Sequence, residues 1–129
     1  MPKKEIETEI ADISIVTDNI IRITLKNEII IDPEDVLELK SHCNKLMKDS
    51  KFGVLISTRD KFSINRDAWR VSVSERFDKR TKAKAILIKN PVYLMLGKMS
   101  LKVDKPFVKT KFFSDEKKAL KWLEKKITN

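Results

Sequence analysis

The sequence predicts an α/β fold in which a mixed β-sheet is flanked by about four α-helices and opens with a β-hairpin. Along the 129 residues, two strand-like stretches and a helix are followed by three further strand–helix pairs. Residues 52–56 and 83–88 form two apolar runs, which are typical of interior strands covered on both faces. Because strands joined through helices pair in parallel with right-handed crossovers, we expect a partly parallel sheet.

Length and composition predict one domain over residues 1–129, with its core in about residues 10–127. A chain of this length can bury one core of ordinary size. It has only two glycines and four prolines, so no flexible linker divides it. No apolar run reaches the ~20 residues that cross a bilayer, and the N-terminus is charged. We therefore expect a cytoplasmic protein.

The first predicted elements are the hairpin and a capped helix. Isoleucine-rich stretches at residues 10–15 and 20–25 are separated by the Asp-Asn pair at 18–19, a common turn sequence. Asp32 then offers an acceptor at a helix N-cap, and Pro33 suits the first helical position.

The helix that follows divides into two faces and should end near residues 49–50. Its apolar face is formed by Val36, Leu39, Cys43, Leu46 and Met47. Its polar face is formed by Glu38, Lys40, Lys45 and Lys48. Cys43 is the only cysteine, which excludes an internal disulfide and suggests a small core residue.

The remaining elements are three helices and a strand. Residues 64–77 predict a helix, Pro91 begins another that lasts to about residue 102, and residues 108–113 form the last strand. Ser114 is the expected N-cap of the final helix, and the acids after it oppose the helix dipole. The apolar face of that helix is formed by Ala119, Leu120, Leu123 and Ile127.

Two motifs resemble the STAS/SpoIIAA-like domain family. They are Asn90-Pro91-Val92 and the closing Phe113-Ser114-Asp115-Glu116…Ala119…Trp122-Leu123. The resemblance covers about residues 10–127 and implies a mixed sheet flanked by helices, in small modules that are mostly non-enzymatic. It also implies a distant relationship to Sec14-like lipid-binding domains.

The resemblance implies a candidate phosphorylation site. In anti-sigma-factor antagonists of the family, a serine at the start of the helix after a central strand is phosphorylated. Ser63 is the nearest counterpart and the predicted N-cap of the helix over 64–77. Residues 60–64 (DKFSI) lack the second hydroxyl residue and the glycine of the family motif. Arg59 and Arg66 would favour a phosphate at this helix start.

No set of catalytic residues can be assembled from the sequence, so we expect no enzyme, no metal and no cofactor. His42 is the only histidine, which is too few for a typical zinc site or a Ser-His-acid set. Neither Gly53 nor Gly97 has the partner glycine of a phosphate-binding loop. The acids at 32–35 and 115–116 lie at helix starts, where the dipole favours them.

The charge balance raises an electrostatic alternative. The net charge is +9 and the isoelectric point is near 9.7, as in proteins that bind nucleic acids. However, acids and bases alternate along most of the chain, and the densest basic run, residues 79–84, is predicted to lie in a loop. No nucleic-acid-binding motif is present. Nucleic-acid binding is therefore not the expected role, and electrostatic binding to nucleic acid or an anionic membrane is the third alternative.

Two helices carry more apolar residues than one core face can use. In the helix over 64–77, an apolar stripe lies opposite Ile64, Ala68 and Val71. Aromatic residues and arginine are enriched in protein interfaces, so this stripe is a candidate interface, unless Trp69 packs within the monomer. The candidate interface consists of Trp69, Val73, Phe77, Arg66 and Arg70.

The helix from Pro91 is apolar almost all round, so it needs cover on two sides. A dimer partner, the C-terminal helix, a hydrophobic ligand or burial as a core helix would each provide it. Tyr93, Met95 and Met99 form its candidate ligand or interface surface.

The sequence therefore predicts a non-catalytic regulatory or protein–protein interaction module that acts as a homodimer or with a protein partner. The first alternative is a small apolar-ligand or lipid-binding protein, which the Sec14-like relationship and the helix from Pro91 suggest.

Overall fold

Six strands of the described residues form one mixed β-sheet, and two short strands form a separate parallel pair. The computed structural model describes residues 5–48, 50–58, 62–74 and 80–128, and the backbone alone of Phe62 and Ser74. In chain order the elements are β1 (Glu5–Glu7), β2 (Ala11–Thr17), β3 (Ile20–Leu25), β4 (Ile29–Ile31), α1 (Pro33–Met47), β5 (Phe52–Ser57), β6 (Phe62–Ile64), α2 (Arg66–Ser74), β7 (Thr81–Leu87), α3 (Pro91–Val103), β8 (Lys109–Phe113) and α4 (Glu116–Thr128). The large sheet has the order β1-β2-β3-β5-β7-β8, and β4 pairs with β6. The predicted α/β class is confirmed.

Strand pairing follows the predicted mixed pattern. β2 and β3 form the antiparallel hairpin, with Ala11 opposite Leu25, and the pairs β3–β5, β5–β7 and β7–β8 are parallel. β5 and β7 each lie between two neighbours, so they are interior strands, as their apolar runs predicted. The sequence did not predict β1 or the β4–β6 pair, in which Ile31 lies opposite Ile64.

Helix α1 begins as predicted, but one lysine that was predicted on its polar face lies on its apolar face. Asp32 accepts a hydrogen bond from the Asp35 N–H at 2.9 Å, and the Asp35 side chain accepts one from the Asp32 N–H at 3.0 Å. Lys40, expected on the polar face, is only 8% exposed. It follows Val36 by one helical turn and therefore lies on the apolar face.

Two predicted N-caps are wrong. Ser63 lies in β6, where pairing with Ile30 of β4 keeps its backbone extended. α2 begins only at Arg66, and the Asn65 side chain accepts from the Asp67 N–H at 2.7 Å. At α4, Asp115 takes the place expected for Ser114, because its side chain accepts from the Lys117 N–H at 3.0 Å.

The densest basic run does not form the predicted loop. From residue 81 it belongs to β7, an interior strand, and Lys84 is 8% exposed. Residue 79 lies outside the described residues. Arg80 donates to the backbone oxygen of Asn44 at 2.7 Å, which joins the end of α1 to the start of β7.

Helices cover both faces of the large sheet. α4 lies on one face, where Ala119 and Leu123 are fully buried together with Ala83 and Ala85 of β7. A Cβ atom added to Gly53 would lie 2.9 Å from the Ile127 Cδ1 atom, so α4 sits close to the sheet. α1, α2 and α3 lie on the other face.

Candidate functional site

A cavity of about 440 Å³ lies between the large sheet and helices α1, α2 and α3. Because side chains alternate between the faces of a strand, Phe52, Val54 and Ile56 of β5 line the cavity. Gly53 and Leu55, between them, face α4 instead. The cavity therefore lies on one face of the sheet only.

The helices supply the rest of an apolar wall. α1 contributes Leu39 and Cys43, which are 7% and 3% exposed, and α2 contributes Trp69. α3 contributes Leu96, which lines the cavity and is also 50% exposed. Since exposed side chains of α3 form part of the wall, the cavity communicates with solvent beside this helix.

α3 is held against β8 through Gly97. A Cβ atom added to Gly97 would lie 2.5 Å from a ring carbon of Phe112. Phe112 is 6% exposed and lines the cavity with Gly97. The close approach at one point fixes the position of α3 at the cavity edge.

Two lysines bring charge into the apolar wall. The Lys84 Nζ atom donates to the Ser72 backbone oxygen at 2.8 Å, and the Lys40 Nζ atom lies 3.5 Å from the same oxygen. Ser72 lies two residues before the last described residue of α2, and the carboxyl end of a helix carries the negative end of its dipole. The two lysines therefore meet α2 at an acceptor that favours positive charge. Thr81, also 8% exposed, lines the cavity too.

Further polar groups lie where the parallel strands end. Thr58 follows β5 and donates to the Leu87 backbone oxygen at 2.8 Å, and Arg66, which is exposed, begins α2. Both line the cavity. In open α/β sheets, ligands commonly bind at the carboxyl ends of the strands. Every charged lining residue in the described part of the chain is a lysine or an arginine, and none is an acid.

The predicted interface on α2 does not form an exposed stripe. Val73 is 6% exposed, and the Trp69 Nε1 atom donates to the Asp104 carboxylate at 3.1 Å. The Trp69 ring also packs on Phe112, at 6.3 Å between centroids. For Trp69 and Val73 the structure shows the alternative, packing within the monomer, because the segment after α3 covers the second side of α2, where the Phe107 N–H donates to the Val73 oxygen.

Two of the other residues of the predicted interface are at the surface, and the third is not described by the structure. Arg66 and Arg70 are exposed. Phe77 lies outside the described residues, as does Arg59. Ser63 is exposed in β6, so it is accessible, and its phosphorylation stays a prediction.

The surface predicted on α3 is present, but α3 is not a core helix. None of its 13 residues, all of which the structure describes, is buried. Tyr93, Met95 and Met99 are 43%, 55% and 54% exposed. Tyr93 also lines the cavity. The single predicted surface is therefore divided: Tyr93 lies at the cavity, whereas Met95 and Met99 do not line it.

The sequence reasoning missed both cavity lysines, although the signals were present. Lys40 recurs at helical spacing with Val36 and Cys43, and Lys84 interrupts an apolar strand. A lysine in a position that the pattern assigns to the core is rarely buried without a partner. Such a position indicates a polar group inside the fold.

The chain matches the family described as a domain of unknown function, DUF7793, over residues 13–127, and it belongs to that family. No curated protein matches it significantly. Among the described residues, no helix combines the length and the apolar character needed to cross a membrane.

Two solved structures resemble the chain. One is an uncharacterised DUF3478 protein with a SpoIIAA-like fold from Shewanella loihica PV-4, 16% identical over 88% of this chain and 91% of that chain, with a TM-score of 0.55. The other, a protein with unknown function from Arthrobacter sp. FB24, is 23% identical over 94% of this chain and 98% of that chain, with a TM-score of 0.29. The Shewanella structure shows that the fold is SpoIIAA-like, as the closing motifs predicted.

Proposed function

We propose that this member of the DUF7793 family is a non-catalytic binding module that holds a small amphipathic ligand in the cavity. The observation that carries the proposal is the cavity itself. Its volume of about 440 Å³ lies within the roughly 300–1,000 Å³ typical of ligand sites. Its wall is mostly apolar, with a few polar groups at defined places.

The charges in the wall favour one class of ligand. The charged lining residues of the described chain are Lys40, Arg66 and Lys84. A cationic ligand would be repelled by them, whereas an acidic or neutral polar end would find hydrogen-bond donors. We therefore expect an alkyl or isoprenoid body with an acidic or neutral end.

The composition of the wall also supports a role in binding rather than catalysis. Of the described lining residues, none is a histidine, an aspartate or a glutamate. General acid–base catalysis most often uses these side chains. Homodimerisation or a protein partner stays a prediction, and it can no longer rely on Trp69 and Val73.

Affinity for a series of alkyl carboxylates tests the proposal. Each buried methylene group contributes about 0.8 kcal/mol, or about a fourfold gain in affinity. Competition with a fluorescent fatty acid should show this gain for each added carbon until the cavity is full. An alkyl alcohol of the same length should compete, and the alkylamine should compete least.

Two tryptophan substitutions provide a matched comparison. Ile86→Trp places a large ring in the cavity and should abolish binding. Val16→Trp adds the same ring at a position that is 38% exposed on β2 and should leave binding unchanged. Circular dichroism checks that both variants fold. Equal binding by the two variants, or no affinity of the wild type for any alkyl compound, would contradict the proposal.

A further inference from the structure

The outer face of α3 is an apolar surface that nothing in the described chain covers. We define it as Val92, Met95, Leu96, Met99 and Val103, which are 50–73% exposed. Their spacing places them on one side of the helix. Gly97, which meets Phe112, is on the opposite side.

The charges around this face are almost all positive. α3 contains Lys98 and Lys102 and no acid. Residues 89–111 contain six lysines and a single acid, Asp104. Asp104 already accepts a hydrogen bond from the Trp69 indole. The outer face is thus an aliphatic surface in a basic segment.

We propose that the outer face of α3 docks on the surface of an anionic lipid membrane. Aliphatic side chains enter the boundary between headgroups and acyl chains, while lysine stems extend along the apolar surface and place their ammonium groups at the headgroups. Anionic lipids attract basic segments that lie next to such a surface. The apolar residues and the lysines of α3 therefore match the two layers of one partner.

A protein partner fits these residues less well. Interface cores are enriched in aromatic residues and arginine and depleted in lysine, whereas this face offers Val, Leu and Met beside lysines. Docking by the outer face uses only the residues of that face and does not require a ligand in the cavity. If both proposals hold, Leu96, which belongs to the outer face and also lines the cavity, lies where a ligand would pass from the lipid phase.

Flotation with lipid vesicles tests the docking surface. The wild type should float with vesicles of mixed phosphatidylglycerol and phosphatidylcholine, more weakly as salt is raised, and poorly with pure phosphatidylcholine. Met95→Glu combined with Met99→Glu should reduce the bound fraction about tenfold. Lys98→Glu combined with Lys102→Glu should weaken binding to the anionic vesicles selectively.

Ile30→Glu is the matched control, because Ile30 is 75% exposed and lies on β4, which belongs to the separate two-stranded pair and not to α3. It should float like the wild type. Failure of the wild type to float with anionic vesicles would overturn the proposal, as would equal flotation of the double methionine variant. A dimer in light scattering that the same variant dissociates would show that a second copy covers this face, and would also overturn it. The α3 variants leave Ile86 unchanged, so they should still bind the fluorescent fatty acid in the cavity. Competition binding by these variants therefore distinguishes failure of the docking proposal from failure of the cavity proposal.

Discussion

The two faces of the large sheet differ in how closely helices approach them. On the α4 face, β5 and β7 present Gly53, Ala83 and Ala85, and α4 packs directly on them. On the opposite face the same strands present larger side chains, including Val54 and Ile86, yet the cavity remains. The three helices on this face leave a space of about 440 Å³, whereas α4 alone packs closely on the other face.

Because side chains alternate along a strand, one strand can supply both a tightly packed face that stabilises the fold and a face that lines a cavity. β5 and β7 contribute glycine and alanine as well as Leu55 and Leu87 to the closed face, where α4 packs on them, and Val54 and Ile86 to the open face. The closed face has full van der Waals contact, whereas side chains at the cavity lack partners on one side. We therefore expect the closed face to contribute more to the free energy of unfolding for each buried side chain.

Leucine truncation should have the largest effect and should differ between the faces. Leu123→Ala, at a fully buried position against the sheet, should lower the free energy of unfolding by about 3 to 5 kcal/mol. Leu39→Ala, at the cavity, should cost about 2 kcal/mol, near the low end of the range, because part of its surroundings is already empty. Urea denaturation measures both values. Equal costs would mean that the two faces are packed alike.

Enlargement of side chains should have the next largest effect. Ala85→Leu adds volume to the closed face, where Ala85 is 0% exposed, and should cost about 2 kcal/mol. Val54→Leu points the added methylene into the cavity and should change stability by less than about 0.5 kcal/mol. A similar loss in both variants would show that the cavity has no room for another methylene group.

The link between α1 and β7 should contribute less. Arg80 donates to the Asn44 oxygen at 2.7 Å and lies over Phe52, 5.8 Å from its ring centroid. Arg80→Ala should therefore lower stability by about 1 to 2 kcal/mol, since it leaves a helix-end carbonyl without its donor. Lys82→Ala, a nearby substitution on β7, should stay within about 0.5 kcal/mol. Thermal unfolding of the two variants gives the comparison.

Charges on the outer face of α3 should have the smallest effect on stability. Met95 and Met99 are more than half exposed, so Met95→Glu combined with Met99→Glu should change the free energy of unfolding by less than about 0.5 kcal/mol for each substitution. A larger loss in urea denaturation would show that this face supports the fold. That result would contradict its assignment as an uncovered docking surface.

Much of the fold could be predicted from local signals. Asp32-Pro33 defined the start of α1, and the two apolar runs identified β5 and β7 as interior strands. Local signals did not predict the structure where contacts with a segment distant in the sequence determine it. Pairing with β4 keeps Ser63 in a strand, and the segment after α3 covers the second side of α2, including Val73.

The cavity itself could not be predicted because it depends on where three helices meet. Periodicity assigns Leu39 and Trp69 to apolar faces but does not show that a space lies between them. The two lysines could have been found, since each occupies a core position of its element. Their shared acceptor, the Ser72 oxygen, becomes visible only when α1, α2 and β7 are brought together.

The two tryptophans allow the most direct test that the cavity holds the ligand. Trp69 lines the cavity, whereas Trp122 of α4 packs on Phe113 of β8, at 5.6 Å between ring centroids. Trp122→Phe leaves Trp69 as the reporter, and Trp69→Phe leaves Trp122. A brominated fatty acid should quench the fluorescence of the first variant at saturable, low concentrations and leave the second unchanged. Equal quenching of the two variants, or quenching of neither, would contradict a ligand in this cavity.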